Sequence, residues 1–120
     1  MGYRSEVAFA IAPGPLVDKF LAVMAANEKL RDMIKYNEKY QEGIEFDRYE
    51  EGDIFVYLNS VKWYESYEDV GEVNKFFADH EEENHEYIRF VRSGESPEDT
   101  EAMGSYLEDT IYIPSPGIVF

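Results

Sequence analysis

The chain has no cysteine among its 120 residues. That excludes a disulfide framework, thiolate metal sites and a cysteine nucleophile. Histidine is nearly absent as well: there are two, His80 and His85. Nucleophilic catalysis needs a base beside the hydroxyl, and with so few histidines and no Gly-x-Ser-x-Gly elbow no triad is signalled. The stretch Ala12-Pro13-Gly14-Pro15-Leu16 lacks the glycines and the lysine of a phosphate loop. No apolar run approaches the roughly 20 residues that span a bilayer. The opening MGYRSEVAFAIA has no positive region followed by an apolar stretch, so a signal peptide is not expected. Glu6 stands where myristoylation wants serine or threonine. A soluble, single-domain protein over residues 1–120, in the cytoplasm, is the expectation.

Bases are scarce: 11 against 26 acids, a net charge of -15. Residues 61–120 carry 15 of the acids and only four bases. A field of that sign repels nucleic acid and anionic membranes and suits a basic protein partner; the plainer reading is that it maintains solubility. Against the charge stand 44% apolar and 16% aromatic residues, enough to build one core and too many for a disordered chain.

Hydrophobic periodicity predicts the element order β-α-β-β-α-β followed by a tail strand. In residues 3–12, Val7, Phe9 and Ile11 share one face and Ala8 and Ala10 the other, which marks a central strand. Pro15 opens a helix burying Leu16, Phe20, Val23 and Met24. The stripe resumes at Leu30, Met33 and Ile34 after Asn27, where a bend or a second helix begins. Residues 37–43 read as a polar connection. Residues 44–59 read as a hairpin turning at Glu51-Gly52, with Ile54, Val56 and Leu58 opposite Phe55 and Tyr57. Ser66 and Asp69 match a capping box for a helix that buries Val70, Val73, Phe76 and Phe77. A strand follows at 87–91, a loop at 92–105 with one helical turn after Ser96-Pro97, and a last extended segment at 110–120. The fold class is therefore α+β: a ferredoxin-like sheet with its helices on one face and an extra C-terminal strand. The apolar end Ile118-Val119-Phe120 is expected to pack on the chain's own core or on a second copy.

The opening MGYRSEVAFAI, the central YLNSVKWYESYEDV, and YIRFVRSGES with EDTE after it together resemble a group of small acidic proteins encoded by tailed bacteriophages. The resemblance covers most of the chain in order; YEEGD and IPSPGIVF fall outside it. Its motifs are not catalytic signatures. It implies a protein of the host cytoplasm, an accessory factor acting on a host system.

Two stretches invite a metal. His80 and His85 enclose Glu81, Glu82 and Glu83, one residue longer than the His-Glu-x-x-His of zinc proteases. Five residues apart on a helix, they point about 140° from each other. They could share an ion only if the helix ended between them, and Asn84 is a plausible terminus. The simpler reading is a solvated acidic turn after a helix that His80 closes. In residues 47–58, Asp47, Glu51 and Gly52 match a calcium loop, but Tyr49 and Leu58 stand where carboxylates are required. No metal and no cofactor are expected, and the chain reads as a binding protein rather than an enzyme. The binding candidate is Lys62–Asp69, where Trp63, Tyr64 and Tyr67 alternate with Glu65, Glu68 and Asp69. Aromatic anchors beside carboxylates suit a basic partner, although Trp63 also suits the core. Glu72, Asp79, Glu81, Glu82, Glu83 and Glu86 continue the acids along the second long helix and past it. The leading expectation is an accessory protein, monomer or dimer, that binds and inhibits a host protein, one that is basic or itself binds nucleic acid. Its sharper form has these carboxylates standing in for phosphates. A small enzyme or small-molecule-binding protein with a pocket at the sheet edge is the alternative, and a phage assembly protein a third. No direct nucleic-acid or membrane contact is expected.

Overall fold

The computed structural model describes residues 3–40 (side chains through Asn37), 43–114 and 117–120. A five-stranded antiparallel sheet carries three α-helices on one face. The strands are β1 (Ser5–Ile11), β2 (Ile44–Phe46), β3 (Ile54–Val61), β4 (Ile88–Ser93) and β5 (Thr100–Met103), in the spatial order β2-β3-β1-β4-β5. The first four strands have the ferredoxin-like order, with β5 added beyond β4. The helices are α1 (Pro15–Ala26), α2 (Glu28–Tyr40) and α3 (Glu68–Asn84).

β1 is central because both of its faces are apolar. Val7, Phe9 and Ile11 meet the helices, and the Phe9 ring lies 5.4 Å from Phe20 and 5.1 Å from Phe77, edge-on to both. Ala8 and Ala10 face the other way into a second cluster with Phe55, Tyr57, Val91, Tyr106 and Ile111. Small side chains there let the C-terminal segment lie close against the sheet.

Asn27 separates α1 from α2: the reading of a second helix, rather than a bend, is the one the chain adopts. Asn27 leaves the helical region at φ -128° and ψ 104°, and its Oδ1 accepts the Leu30 amide at 2.8 Å, an N-cap for α2. Leu16, Phe20, Leu30 and Ile34 are buried, whereas Val23, Met24 and Met33 pack at the rim. α2 is longer than the expected polar connection allows. It continues through 37–40 because Asn37 is buried and bonds back to the Met33 carbonyl at 3.1 Å; residues 41 and 42 lie outside the described residues.

Three further expectations need correction. The capping box does not form, because α3 starts at Glu68 with Tyr67 as its N-cap and no side-chain cap. Ser66 falls inside a turn closed by the Tyr67 amide on the Tyr64 carbonyl at 2.9 Å, and Asp69 Oδ1 accepts the next amide, Val70, at 2.9 Å. The strand predicted at 87–91 runs 88–93, and the predicted loop after it holds β5, paired with β4 from Phe90↔Met103 to Ser93↔Thr100. The extra strand is therefore 100–103, not the tail. In the tail a single antiparallel bridge joins Tyr112 and Val119, and Ile113, Ile118 and Phe120 pack into the second cluster. The tail packs on the chain itself, one of the two expected forms; residues 115 and 116 lie outside the described residues.

β3 departs from simple alternation. Ser5 pairs with Val61 but Val7 pairs with Leu58, so Asn59 and Ser60 bulge opposite Glu6. Ser60 takes a φ of 60°. The extra residue shifts the phase of the strand by one. Ile54, Val56 and Leu58 face the helices before the bulge, and Val61 and Trp63 face them after it.

Candidate functional site

α3 is amphipathic in a lopsided way. Val70, Val73, Phe76 and Phe77 are buried, and the opposite side carries acids. At 100° per residue, Glu68, Glu72, Asp79 and Glu82/Glu83 fall in one stripe, repeating roughly every 6 Å where they are four residues apart. Glu68, Asp79, Glu82 and Glu83 are exposed and Glu72 is half-buried. Lys75 interrupts the stripe, pairing with Asp79 at 2.8 Å across two exposed side chains, a contact worth little to stability. Glu81 lies off the stripe; burial lowers the Arg89 pKa, and the charges of Glu108 and then Glu81 work against that. Glu65 and Glu86 are exposed beyond the two ends of α3, and Asp69 is half-buried in its first turn.

The acids at the two ends of α3 differ in energy. Glu68 and Asp69 sit in the first turn, where the positive end of the helix dipole favours them. Glu81, Glu82 and Glu83 sit in the last turn, which holds no basic residue, so the dipole opposes them. Of the two expected helix ends, Asn84 is the one the chain takes and His80 is not: the backbone is helical through Asn84, so Glu81, Glu82 and Glu83 lie in the helix rather than in a turn after it, and His85–Tyr87 form a 3-10 turn. The His80 ring lies 4.8 Å from the Phe76 ring, tilted by 57°, and its Nδ1 lies 3.3 Å from Asn84 Nδ2. His85 is exposed and its carbonyl accepts the Ser105 amide at 2.7 Å. Among the described residues no group of three or more His, Asp or Glu is arranged to hold a metal ion.

The aromatic segment divides. Trp63 is a core residue, 8% exposed and 5.9 Å from the Phe90 ring. The bulge turned it inward, and it is not available as an anchor. Tyr64 is half-buried, with its hydroxyl accepting the Tyr3 amide at 2.8 Å. Tyr67 is exposed, edge-on to Tyr64 at 5.2 Å. Tyr67 thus stands beside Glu68 and Asp69 at the head of the acidic stripe. Two depressions flank it. One of about 550 Å³ lies between α2 and the start of α3, lined by Lys29, Asp32, Met33 and Glu68. The other, of about 360 Å³, is lined by Arg4, Asn37, Asn59 and Lys62.

Sequence reasoning passed over Arg4 and Asn37 as site residues and took Lys62 only as the first residue of the aromatic segment. Arg4, Asn37 and Lys62 lie 58 positions apart at the extremes and meet only through the sheet. The one local signal was Asn59-Ser60, which breaks the apolar alternation of β3. It also passed over Asp53. That carboxylate is fully buried and accepts the amides of Arg48, Tyr49 and Glu50 at 3.1–3.2 Å and the Tyr106 hydroxyl at 3.3 Å. Burial first, and the Asp53 charge second, push the Tyr106 phenol well above its ordinary range. The segment that mimics a calcium loop is held from within by its own last acid. No protein family, curated protein or solved structure matches the chain at a significant level.

Proposed function

We propose that this chain is a binding protein whose partner is a basic protein, docked on the acidic outer face of α3 with Tyr67 at one end. The observation that carries this reading is the placement of Glu81, Glu82 and Glu83 in the last turn of α3 with no base among them. The helix dipole disfavours carboxylates there and of the three only Glu81 has a compensating cation, Arg89, so the presence of Glu82 and Glu83 is better accounted for by an interaction than by stability. The contact set is Tyr67, Glu68, Glu72, Asp79, Glu82 and Glu83, with Tyr64, Glu65, Asp69, Glu81 and Glu86 at its margins. The resemblance to tailed-phage proteins suggests that the partner is a host protein, met in the host cytoplasm and inhibited by the contact. In its sharper form the stripe occupies a groove that otherwise takes nucleic acid, carboxylates standing where phosphates would be.

The test is affinity capture from host lysate with the intact chain and with a Glu72→Gln/Asp79→Asn/Glu82→Gln/Glu83→Gln variant, at low and high salt. A basic protein held by the first, lost by the variant, released by salt and displaced by duplex DNA supports the reading, mimicry included. Retention by the variant, or capture that ignores salt, overturns it.

A further inference from the structure

Where β1 enters the sheet and β3 leaves it, the 360 Å³ pocket has walls unlike the rest of this surface. Its size is that of small-molecule sites. Arg4 and Lys62 both line it, and neither has a carboxylate at ion-pair distance among the described residues. The Arg4 guanidinium is oriented by donating to the Ser60 carbonyl at 2.9 Å. The one carboxylate among the described lining residues, Asp69, accepts the Val70 amide. In a chain with 26 acids and 11 bases, two cations without an ion-pair partner among the described residues set this pocket apart from the general field, although the Arg4 amide itself donates to a Glu95 carboxylate oxygen.

Two aromatic rings stand at the same pocket: Tyr36, 64% exposed, and Tyr67, 41% exposed. Between strand and helix lies Asn37, 2% exposed. Its Nδ2 donates to the Met33 carbonyl at 3.1 Å. A carbonyl only accepts, so the amide cannot be turned round, and its Oδ1 is left buried with no partner among the described residues. Buried acceptors are rarely left so, and this one lies beneath the pocket floor, closed to solvent. The bulge supplies the last element. Ser60 holds a φ of 60°, unfavourable for a side-chain-bearing residue and characteristic of functional sites, and the same bulge carries Asn59, Ser60 and Lys62 to one rim.

We propose that this pocket binds a nucleoside monophosphate, the phosphate between Arg4 and Lys62 and the base against the tyrosine rings. Charge-assisted hydrogen bonds hold the phosphate, and an aromatic ring stacks on any base. Inorganic phosphate alone would make no contact with the rings.

The experiment is an NMR titration of the 15N-labelled chain with AMP, GMP, CMP and UMP, with adenosine and inorganic phosphate as separate arms. Each is taken to about 10 mM, where even millimolar affinities register. The expected result is movement of the amide signals around 36–37, 59–62 and 67 with at least one monophosphate, bound about tenfold more tightly than phosphate or adenosine. Arg4→Gln, Lys62→Gln and Tyr36→Ala, all at exposed positions, each weaken it about tenfold with the fold intact by circular dichroism. Substitutions of Glu72, Asp79, Glu82 and Glu83 on the α3 stripe leave it unchanged, which distinguishes this site from the protein-binding face, with which it shares Tyr67. No response to any monophosphate, a response elsewhere, phosphate binding as well as the nucleotide, or unaltered affinity in the Arg4 and Lys62 variants overturns the proposal.

Discussion

The ring of Phe120 lies 4.4 Å from the ring of Tyr57, tilted by 34°. The last residue of the chain thus rests on the third strand, and the Arg48 guanidinium lies 5.2 Å from the Phe120 ring centre. Two residues earlier, the Ile118 amide donates to Glu6 Oε1 at 3.0 Å, and Glu6 also accepts the Tyr57 hydroxyl. The sheet face that the helices leave bare is closed by the chain's own end.

Deleting residues 117–120 is therefore expected to destabilise the monomer. Phe120→Ala alone should cost about 1–3 kcal/mol, the range for truncating a partly buried aromatic. For a chain of this size each kcal/mol lowers the melting temperature by about 3–6 °C. Melting followed by circular dichroism at two protein concentrations checks this: the loss should be the same at both. A loss only at the higher concentration would place the tail between copies instead.

Gly104→Ala should be among the most damaging single changes. Gly104 has a φ of 80°, and an added Cβ would lie 1.9 Å from the Ile88 carbonyl oxygen. The chain leaves β5 there to cross the end of β4, and its own carbonyl accepts Arg89 at 2.9 Å. We expect a loss of more than about 2 kcal/mol. Gly52→Ala, at a φ of 91° with only Pro13 Cβ nearby at 3.5 Å, isolates the backbone term and should cost about 1–2 kcal/mol. Chemical denaturation of both distinguishes clash from strain.

Asp53→Asn keeps the shape of the buried side chain and removes its charge. One oxygen cannot replace two in accepting three amides and the Tyr106 hydroxyl. A loss of about 2–3 kcal/mol is expected, with the largest chemical-shift changes confined to 47–53 and Tyr106. An unchanged stability would show that the loop is held by its other bonds.

Stability should fall in acid partly through Asp99. The hydrogen bond from Arg92 first, and that from Tyr3 second, lower its pKa from 3.8 to about 2. The folded value lies below the unfolded one, so the contribution is complete above the unfolded pKa near 3.8 and is lost as pH falls through about 2. The stability gap between the wild type and Asp99→Asn should therefore narrow between those two values. A gap constant with pH would show that the Asp99 carboxylate contributes nothing through its charge.

Neutralising Glu82 and Glu83 to Gln should raise stability, because it removes like charges from the negative end of α3; Glu81, whose charge supports the buried Arg89, is left in place. About 0.3–1 kcal/mol per residue is expected at low ionic strength, fading with salt. Neutralising Glu68 and Asp69 in the first turn should act in the opposite direction. Melting temperatures at two salt concentrations provide the check.

Periodicity within a single element was legible from residue order alone. Two apolar faces on Ser5–Ile11 placed that strand in the middle of the sheet, because only a strand covered on both sides can bury both. The spacing of Val70, Val73, Phe76 and Phe77 located α3 and its inner face, and by exclusion the acidic outer one. Proline at 15 and asparagine at 27 marked helix ends through their local bonding. In each case the determining contacts lie within about one turn or one alternation of the residue itself.

Tertiary structure decided the rest, for one physical reason: the deciding partner lies far along the chain. Thr100–Met103 has no strand pattern of its own and becomes β5 because β4 offers an unpaired edge beside it. Ser66 has the right neighbour for a cap, but Trp63, drawn into the core by the bulge, sets where α3 can begin. Asn37 looks like a connector residue until strand β3 and its bulge cover it. Arg4 and Lys62 become one anion-facing wall only when β1 and β3 pair, since hydrogen bonds across a sheet, unlike periodicity along a helix, leave no trace in local sequence.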